Sequence, residues 1–164
     1  MADFINTIDV IGDDAVTDSF IERTITEFND NMISKVERFA FAYCTSLTSV
    51  NMPNVTSIEY YAFQNCTSLT TVDFSNLTSI ASGAFYSCTS LKTVILRNTT
   101  QVCTLANTIV FSSKPADGYF YVPRALVDGY KTNSNWSTYA NQIRALEDYT
   151  VDGTINGELD ENKI

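Results

Sequence analysis

Residues 40–50 read AFAYCTSLTSV, and this pattern decides the fold. It returns as AFQNCTSLTTV at residues 62–72 and as AFYSCTSLKTV at residues 84–94, so its cysteine recurs at steps of 22 residues. A degenerate copy lies one period earlier, where Ile25 stands for the leucine and Phe28 for the final valine. Internal repetition of this kind predicts a repeat architecture.

A period of 22 residues in an array from about Ile25 to Leu96 is typical of leucine-rich repeats, which span roughly 20–29 residues. Each such unit contributes a short strand and a returning segment, and stacked units share one continuous core. The expected fold class is therefore an α/β repeat protein: a leucine-rich-repeat-like right-handed solenoid of about four 22-residue units with helical caps.

Side chains alternate across a strand, so we interpret residues 47–52 as a strand that points Val50 and Met52 inward. The Ala-Phe-x-x-Cys segment predicts a short helical turn that brings Phe and Cys inward together. The resulting structural core ladder consists of Phe41, Phe63, Phe85, Cys44, Cys66, Cys88, Leu47, Leu69 and Leu91.

The outward positions of the same strands form the candidate binding face: Glu27, Asn29, Ser49, Asn51, Thr71, Asp73, Thr93 and Ile95. A second face flanks the inward Val36, Ile58 and Ile80 and shows Lys35, Glu37, Ser57, Glu59, Ser79 and Ala81. Extended faces are the usual binding surfaces of repeat proteins, and simple solvation is the alternative for either one. Four tyrosines near the turns either anchor a partner or cover the core edge: Tyr43, Tyr60, Tyr61 and Tyr86.

The repeat resembles the BspA-like leucine-rich repeats of bacterial surface proteins. The resemblance rests on the pattern above, the turn containing Pro53, and the Val-Thr-Ser-Ile that follows it at residues 55–58. Residues 119–140 are similar to the segment that closes many such arrays, and both ends resemble short forms from gut Firmicutes and their phages. The resemblance covers about residues 25–148 and is specific to the fold but poorly specific to function, because the family is defined by scaffold residues.

Four segments are expected along the chain. Residues 1–24 form an N-terminal cap with a short helix at residues 17–22, and residues 25–97 form the leucine-rich repeats. Residues 98–148 form a C-terminal strand and helical cap, in which one helix covers about residues 125–130 and another runs from about residue 134 towards Leu146. Trp136 is expected to anchor this cap. Residues 149–164 form an acidic flexible tail.

Composition excludes several functions. The chain has 164 residues and a net charge of −9, which argues against nucleic acid and anionic membrane surfaces as partners. It contains no His, so catalytic triads and metal sites that need imidazole are excluded. The repeated cysteines stand in one column, where three equivalent residues cannot all pair, and we interpret them as buried thiols.

No constellation predicts catalysis or a cofactor. Glu27, Glu59 and Asp73 are regularly spaced surface positions, which is typical of a solvated face rather than an acid pair. The acids of residues 152–161 lack the register of a calcium loop, and whether the tail binds a cation stays open. We therefore expect that the protein is not an enzyme and binds neither a metal ion nor a cofactor.

The predicted function is non-catalytic recognition of a protein or surface ligand through the strand face of the solenoid. The alternative is a structural or accessory component of a phage particle or cell-surface assembly, in which self-association takes part. The start of the chain lacks a signal-peptide pattern, so we expect cytoplasmic synthesis, with a later cell-surface or virion location left open.

Overall fold

The computed structural model describes residues 10–11, 24–151 and 154–155, with side chains for residues 24–149. The predicted helix at residues 17–22 and most of the predicted tail lie outside the described residues.

The described strands form two parallel sheets and one antiparallel pair. The first sheet contains, in spatial order, β2 (Glu27–Asn29), β4 (Ser49–Asn51), β6 (Thr71–Phe74), β8 (Thr93–Leu96), β10 (Tyr119–Val122) and β11 (Ile143–Ala145). The second sheet contains β1 (Val10–Ile11), β3 (Lys35–Val36), β5 (Ser57–Ile58), β7 (Ser79–Ile80) and β9 (Thr104–Leu105). Near the C-terminus, β12 (Thr150–Val151) pairs antiparallel with β13 (Thr154–Ile155).

The 22-residue period sets the register of both sheets. In the first sheet, Val50 lies opposite Phe28 on one side and Val72 on the other. In the second sheet, Ile58 lies between Val36 and Ile80. The degenerate copy that begins near Ile25 is therefore a structural unit, and the predicted solenoid of stacked repeats is confirmed.

The strand columns continue beyond Leu96. Leu105 of β9 lies opposite Ile80, and Phe120 of β10 lies opposite Val94. The spacing here rises to 25 and 26 residues, so a strict 22-residue period does not reveal these strands.

Stacked aromatic rings form the centre of the core. Phe41, Phe63, Phe85 and Phe111 stack nearly parallel, with centroid separations of 4.8, 5.0 and 5.1 Å. At the far end Phe111 meets Phe120 edge-on at 4.9 Å. One ring per unit thus links consecutive repeats through burial and favourable ring geometry.

The segments between the sheets are successive tight turns, which corrects the predicted helical turn. The amide of Cys44 donates to the carbonyl of Phe41 at 3.1 Å, and such bonds to the third residue back recur in each unit. Left-handed residues interrupt any helix, with φ of 59° at Phe39, 62° at Tyr43 and 53° at Tyr61. The inward direction of Phe41 and Cys44 is nevertheless the predicted one, and both are buried.

Threonine and asparagine side chains donate hydrogen bonds to backbone carbonyl groups of the preceding unit. The hydroxyl of Thr48 donates to the carbonyl of Thr26 at 2.8 Å, and that of Thr70 donates to the carbonyl of Thr48 at 3.1 Å. The amide of Asn76 donates to the carbonyl of Pro53 at 2.8 Å. Recurrent Thr and Asn positions therefore stabilise the stack as hydrogen-bonded ladders.

The C-terminal cap is only partly the predicted one. A 3-10 turn at Arg124–Leu126 leads into the helix α1 (Val127–Thr132), close to the predicted residues 125–130. Within the second predicted helix, Ser137–Gln142 forms a 3-10 helix, and the prediction was wrong beyond Gln142, because Ile143–Ala145 forms β11 and pairs with β10. The edge strand of the first sheet has backbone groups that this segment can pair with. Pairing with them stabilises a strand more than the helical spacing of the apolar residues stabilises a helix.

Trp136 is completely buried in this cap. Its ring packs edge-on against Phe120 at 5.1 Å and against Tyr130 at 5.0 Å, and its Nε1 donates to the carbonyl of Cys103 at 2.6 Å. The hydroxyl of Tyr130 accepts from the amide of Cys103 at 2.9 Å. These contacts join the cap to the repeats.

Candidate functional site

The outward side chains of the first sheet form two parallel columns. Register places Ser49 beside Glu27 and Thr71 in one column, and Asn51 beside Asn29 and Asp73 in the other. Parallel strands lie about 4.8 Å apart, so the columns present a regular lattice of polar groups. The structure gives these side chains three degrees of exposure. The exposed side chains are Glu27, Asn29 and Asn51, and the half-buried ones are Ser49, Thr71, Asp73 and Thr93. Ile95 is buried.

Ile95 corrects the predicted extent of the face. Its register is outward, opposite Asp73 and Tyr121, yet it is only 4% exposed. Tyr121 and Leu146 bury it in a small second apolar cluster, against which Tyr149 also packs. The C-terminal segment thus folds over this end of the sheet and removes Ile95 from the accessible face.

The carboxylate of Asp73 forms an ion pair with the guanidinium of Arg97. Nε of Arg97 donates to its Oδ1 at 2.8 Å, and Nη2 donates to its Oδ2 at 2.9 Å. Both side chains are about a quarter exposed, and the hydrogen bond to Asp73 raises the pKa of Arg97. The open polar part of the face therefore extends over β2, β4 and the start of β6.

A depression of about 390 Å³ adjoins this open part, and sequence reasoning missed it. Two of its lining residues, Asn29 and Asn51, belong to the candidate face, and the others are Asp30, Asn31, Met32 and Pro53. Asp30 holds the position that Met52 and Phe74 hold in the following units. A carboxylate in an otherwise apolar column is the sequence signal that could have indicated this site.

The second face carries an ion-pair network. Nζ of Lys35 lies 3.1 Å from Oε1 of Glu37 and 3.4 Å from Oε1 of Glu59. Ser57 and Ser79 continue the outward column of Lys35 and are half-buried. This face is narrower than the first, because each of its strands spans two residues.

The four tyrosines near the turns differ in exposure. Tyr43, Tyr60 and Tyr86 are 44%, 50% and 41% exposed, whereas Tyr61 is half-buried. The ring of Tyr61 stacks on Phe39 with a centroid separation of 5.6 Å. Tyr61 thus packs on a neighbouring ring, whereas the other three present exposed aromatic surface, and a role for these three in anchoring a partner stays a prediction.

The four cysteines are buried, and no disulfide joins them in the described chain. Sγ of Cys66 donates to the carbonyl of Phe41, and Sγ of Cys88 donates to that of Phe63, each at 3.1 Å. The neighbouring Cys88 thiol and burial raise the pKa of the Cys66 thiol, and burial raises the pKa of Cys103 to about 12. Neutral, inaccessible thiols are poor nucleophiles and poor metal ligands.

Other reactive groupings are sparse. The described residues contain no group of three His, Cys, Asp or Glu side chains placed to hold a metal ion. Burial lowers the pKa of the Lys114 amine to about 8, and its Nζ lies 4.7 Å from the centroid of the Phe120 ring.

Within residues 24–151, no helix has the length and apolar character needed to cross a membrane.

The parallel strands, stacked aromatic core and 22-residue register define a leucine-rich repeat protein. The family model described as the BspA type leucine rich repeat region matches residues 4–114 as six copies. This is more than half of the chain, so the chain belongs to that family. The six copies exceed the expected number of about four, because the match extends beyond residues 25–97 at both ends.

Among solved structures, the chain is similar to a leucine-rich repeat protein of T. pallidum, with 25% identity and a TM-score of 0.49. The match covers 60% of this chain and 45% of the T. pallidum chain, which is less than half of its length. No curated protein matches the sequence.

Membership of the family indicates the general kind of function. Leucine-rich repeat domains generally mediate protein–protein interactions, and the family suggests a non-catalytic role in protein binding or surface recognition.

Proposed function

We propose that this protein recognises a partner protein through the open part of the first sheet. The accessible polar positions are Glu27, Asn29, Ser49, Asn51 and Thr71. They lie on backbone held in parallel ladders and supported by a buried core, so they are pre-organised for contact and lose little entropy on binding.

The single observation that supports this face above the others is its combination of exposure and regular register. Asn29 and Asn51 are exposed neighbours on adjacent strands, and each side-chain amide offers both donors and an acceptor. The second face commits its charged groups to the pairs of Lys35 with Glu37 and Glu59. The first sheet therefore suits a hydrogen-bonded interface of the polar, hydrated kind.

The proposal is tested by affinity capture from lysate and culture fluid of the source organism. The bait is the wild-type chain, a Ser49→Arg and Asn51→Arg double variant, or a matched Ser57→Arg and Ser79→Arg double variant on the second sheet. We expect a partner that is captured by the wild type and the second-sheet variant and lost by the first-sheet variant. Loss with the second-sheet variant alone contradicts the proposal.

The same experiment tests the alternative role. The resemblance of the ends to short forms from gut Firmicutes and phages supports a structural component of a virion or cell-surface assembly. In that case virion proteins, or further copies of this chain, are captured equally by all three baits. That result would favour a role in assembly over recognition through the first sheet.

A further inference from the structure

The depression beside the first sheet has the composition of a site for a positively charged group. Among the residues that the structure describes, its lining comprises one carboxylate, three asparagines, Met32 and Pro53, and none of these is cationic. Asn29 and Asn51 line it and also belong to the proposed binding face, so an inference about its ligand rests on the proposed function.

Asp30 is the unusual member of this lining. Its side chain is buried at 6% exposure. Oδ1 accepts hydrogen bonds from the amides of Met32 at 2.6 Å and Ile33 at 3.1 Å, which fix the bend after β2. Oδ2 is also buried but accepts no hydrogen bond within the described part of the chain. A buried carboxylate oxygen without a donor is unfavourable, so an incoming donor gains more here than at a hydrated carboxylate.

The apolar part of the lining limits the kind of donor. Met32 is 61% exposed, which is unusual for a large apolar side chain, and Pro53 adds a second apolar surface. A ligand with an alkyl stem and a cationic tip covers Met32 and Pro53 with its stem and directs the tip towards the carboxylate, whose buried Oδ2 it contacts after a local opening. The net charge of −9 on the chain favours the approach of such a ligand.

We propose that this depression accepts an arginine or lysine side chain of the partner protein, with Asp30 as the charged acceptor. The partner surface that meets the first sheet is accordingly basic at the position facing β2 and β4. Specificity for a cation comes from the charge of the buried carboxylate, because a neutral side chain of similar shape can donate to Oδ2 only a weaker hydrogen bond without charge assistance.

The test is an NMR titration of the ¹⁵N-labelled chain with the methylamides of Nα-acetyl-arginine and Nα-acetyl-lysine. Nα-acetyl-citrulline methylamide is the neutral control, since its urea group has nearly the shape of a guanidinium. We expect saturable shifts at the amides of Met32, Ile33 and Asn51, with Kd on the order of 1–10 mM for a single side chain. Arginine or lysine should bind at least about fivefold more tightly than citrulline.

Two variants test the role of Asp30. Asp30→Asn keeps an acceptor for the bend but replaces Oδ2 with a donor, and it should weaken binding of the arginine amide at least about fivefold. Asp128→Asn removes an exposed carboxylate on α1 and should leave the titration unchanged. If Asp30→Asn does not fold, Met32→Arg serves instead, because this exposed position can supply the chain's own guanidinium and compete with the added amide.

Equal affinity for citrulline, shifts confined to another surface, or no shift up to about 50 mM would each overturn the inference. These outcomes are separate from failure of the proposed function. If a partner is captured through Ser49 and Asn51 while the amides fail to bind, the strand-face proposal stands and the basic side chain is excluded.

Discussion

The guanidinium of Arg97 holds both carboxylate oxygens of Asp73, at 2.8 and 2.9 Å, and thereby closes one end of the polar strand face. A partner that needs Asp73 must first displace Arg97, a cost that does not arise at Asn29 or Asn51. The pair therefore separates the open part of the face from the part that the C-terminal segment covers.

Arg97→Met should lower the free energy of unfolding by about 1 kcal/mol, because it removes a two-pronged, partly buried ion pair. Urea denaturation monitored by circular dichroism measures the change. Arg124→Met is the matched control, since Arg124 is 61% exposed in its pair with Asp148 and should cost less than about 0.5 kcal/mol. Equal losses in the two variants would show that the pair with Asp73 adds nothing beyond an ordinary surface contact.

Gly83→Ala should destabilise the fold by about 1–2 kcal/mol, for two reasons that can be separated. Gly83 has a φ of 68°, and an added Cβ would lie 2.3 Å from Cε1 of Tyr61. Tyr61→Ala removes the clash but keeps the backbone strain. In a double-mutant cycle, Gly83→Ala should therefore cost less in the Tyr61→Ala background than in the wild type. An unchanged cost would mean that the ring moves aside freely.

The thiols should be unreactive in the folded protein. The neighbouring Cys88 thiol and burial raise the pKa of Cys66, and burial raises that of Cys103 to about 12, so near pH 8 these two thiols present very little thiolate. All four thiols are also buried away from the reagent. Ellman's reagent should titrate four thiols in denaturant and none in buffer during the time in which glutathione reacts completely. Reaction of one thiol in buffer would show that its column opens to solvent.

Lys114 should give the stability a distinct dependence on pH. Its pKa falls from 10.5 in the unfolded chain to about 8 in the folded one, because burial disfavours the ammonium. Between these values the unfolded chain binds more protons, so the contribution of Lys114 to stability rises with pH. Lys114→Met should be more stable than the wild type near pH 7 by about 1 kcal/mol, a figure reduced for partial exposure, and this advantage should shrink towards pH 10.

The control for Lys114 is Lys131→Met, which removes an exposed amine from α1. The stability difference between the two variants should fall from pH 7 towards pH 10. A constant difference would show that the Lys114 amine remains hydrated in the folded chain.

The repeated units could be predicted from the sequence because each position in one unit meets the equivalent position in the next. The register of Val50 with Val72 follows directly from the 22-residue step. The same logic fails where the step lengthens, and Phe111 continues the Phe85 column 26 residues later. A strict period therefore ends the array too early.

Contacts between distant segments could not be predicted in this way. Ile95 has an outward register, and only the long-range packing of Tyr121 and Leu146 removes it from the face. Ile143 and Leu146 fit a helical spacing, but the edge of β10 binds Ile143–Ala145 as a strand, and Leu146 begins a 3-10 turn. For the depression, the departure of Asp30 from its apolar column was visible, whereas its buried Oδ2 depends on the fold.

The most direct test of recognition through the first sheet is site-specific photocrosslinking in lysate and culture fluid of the source organism. The photoreactive residue p-benzoylphenylalanine replaces Asn51 on the first sheet, Ser79 on the second sheet or Tyr60 at the turns, in three separate proteins. The account predicts one crosslinked partner protein from position 51 and none from positions 79 and 60. A partner trapped at position 79 or 60 and absent at position 51 would contradict it.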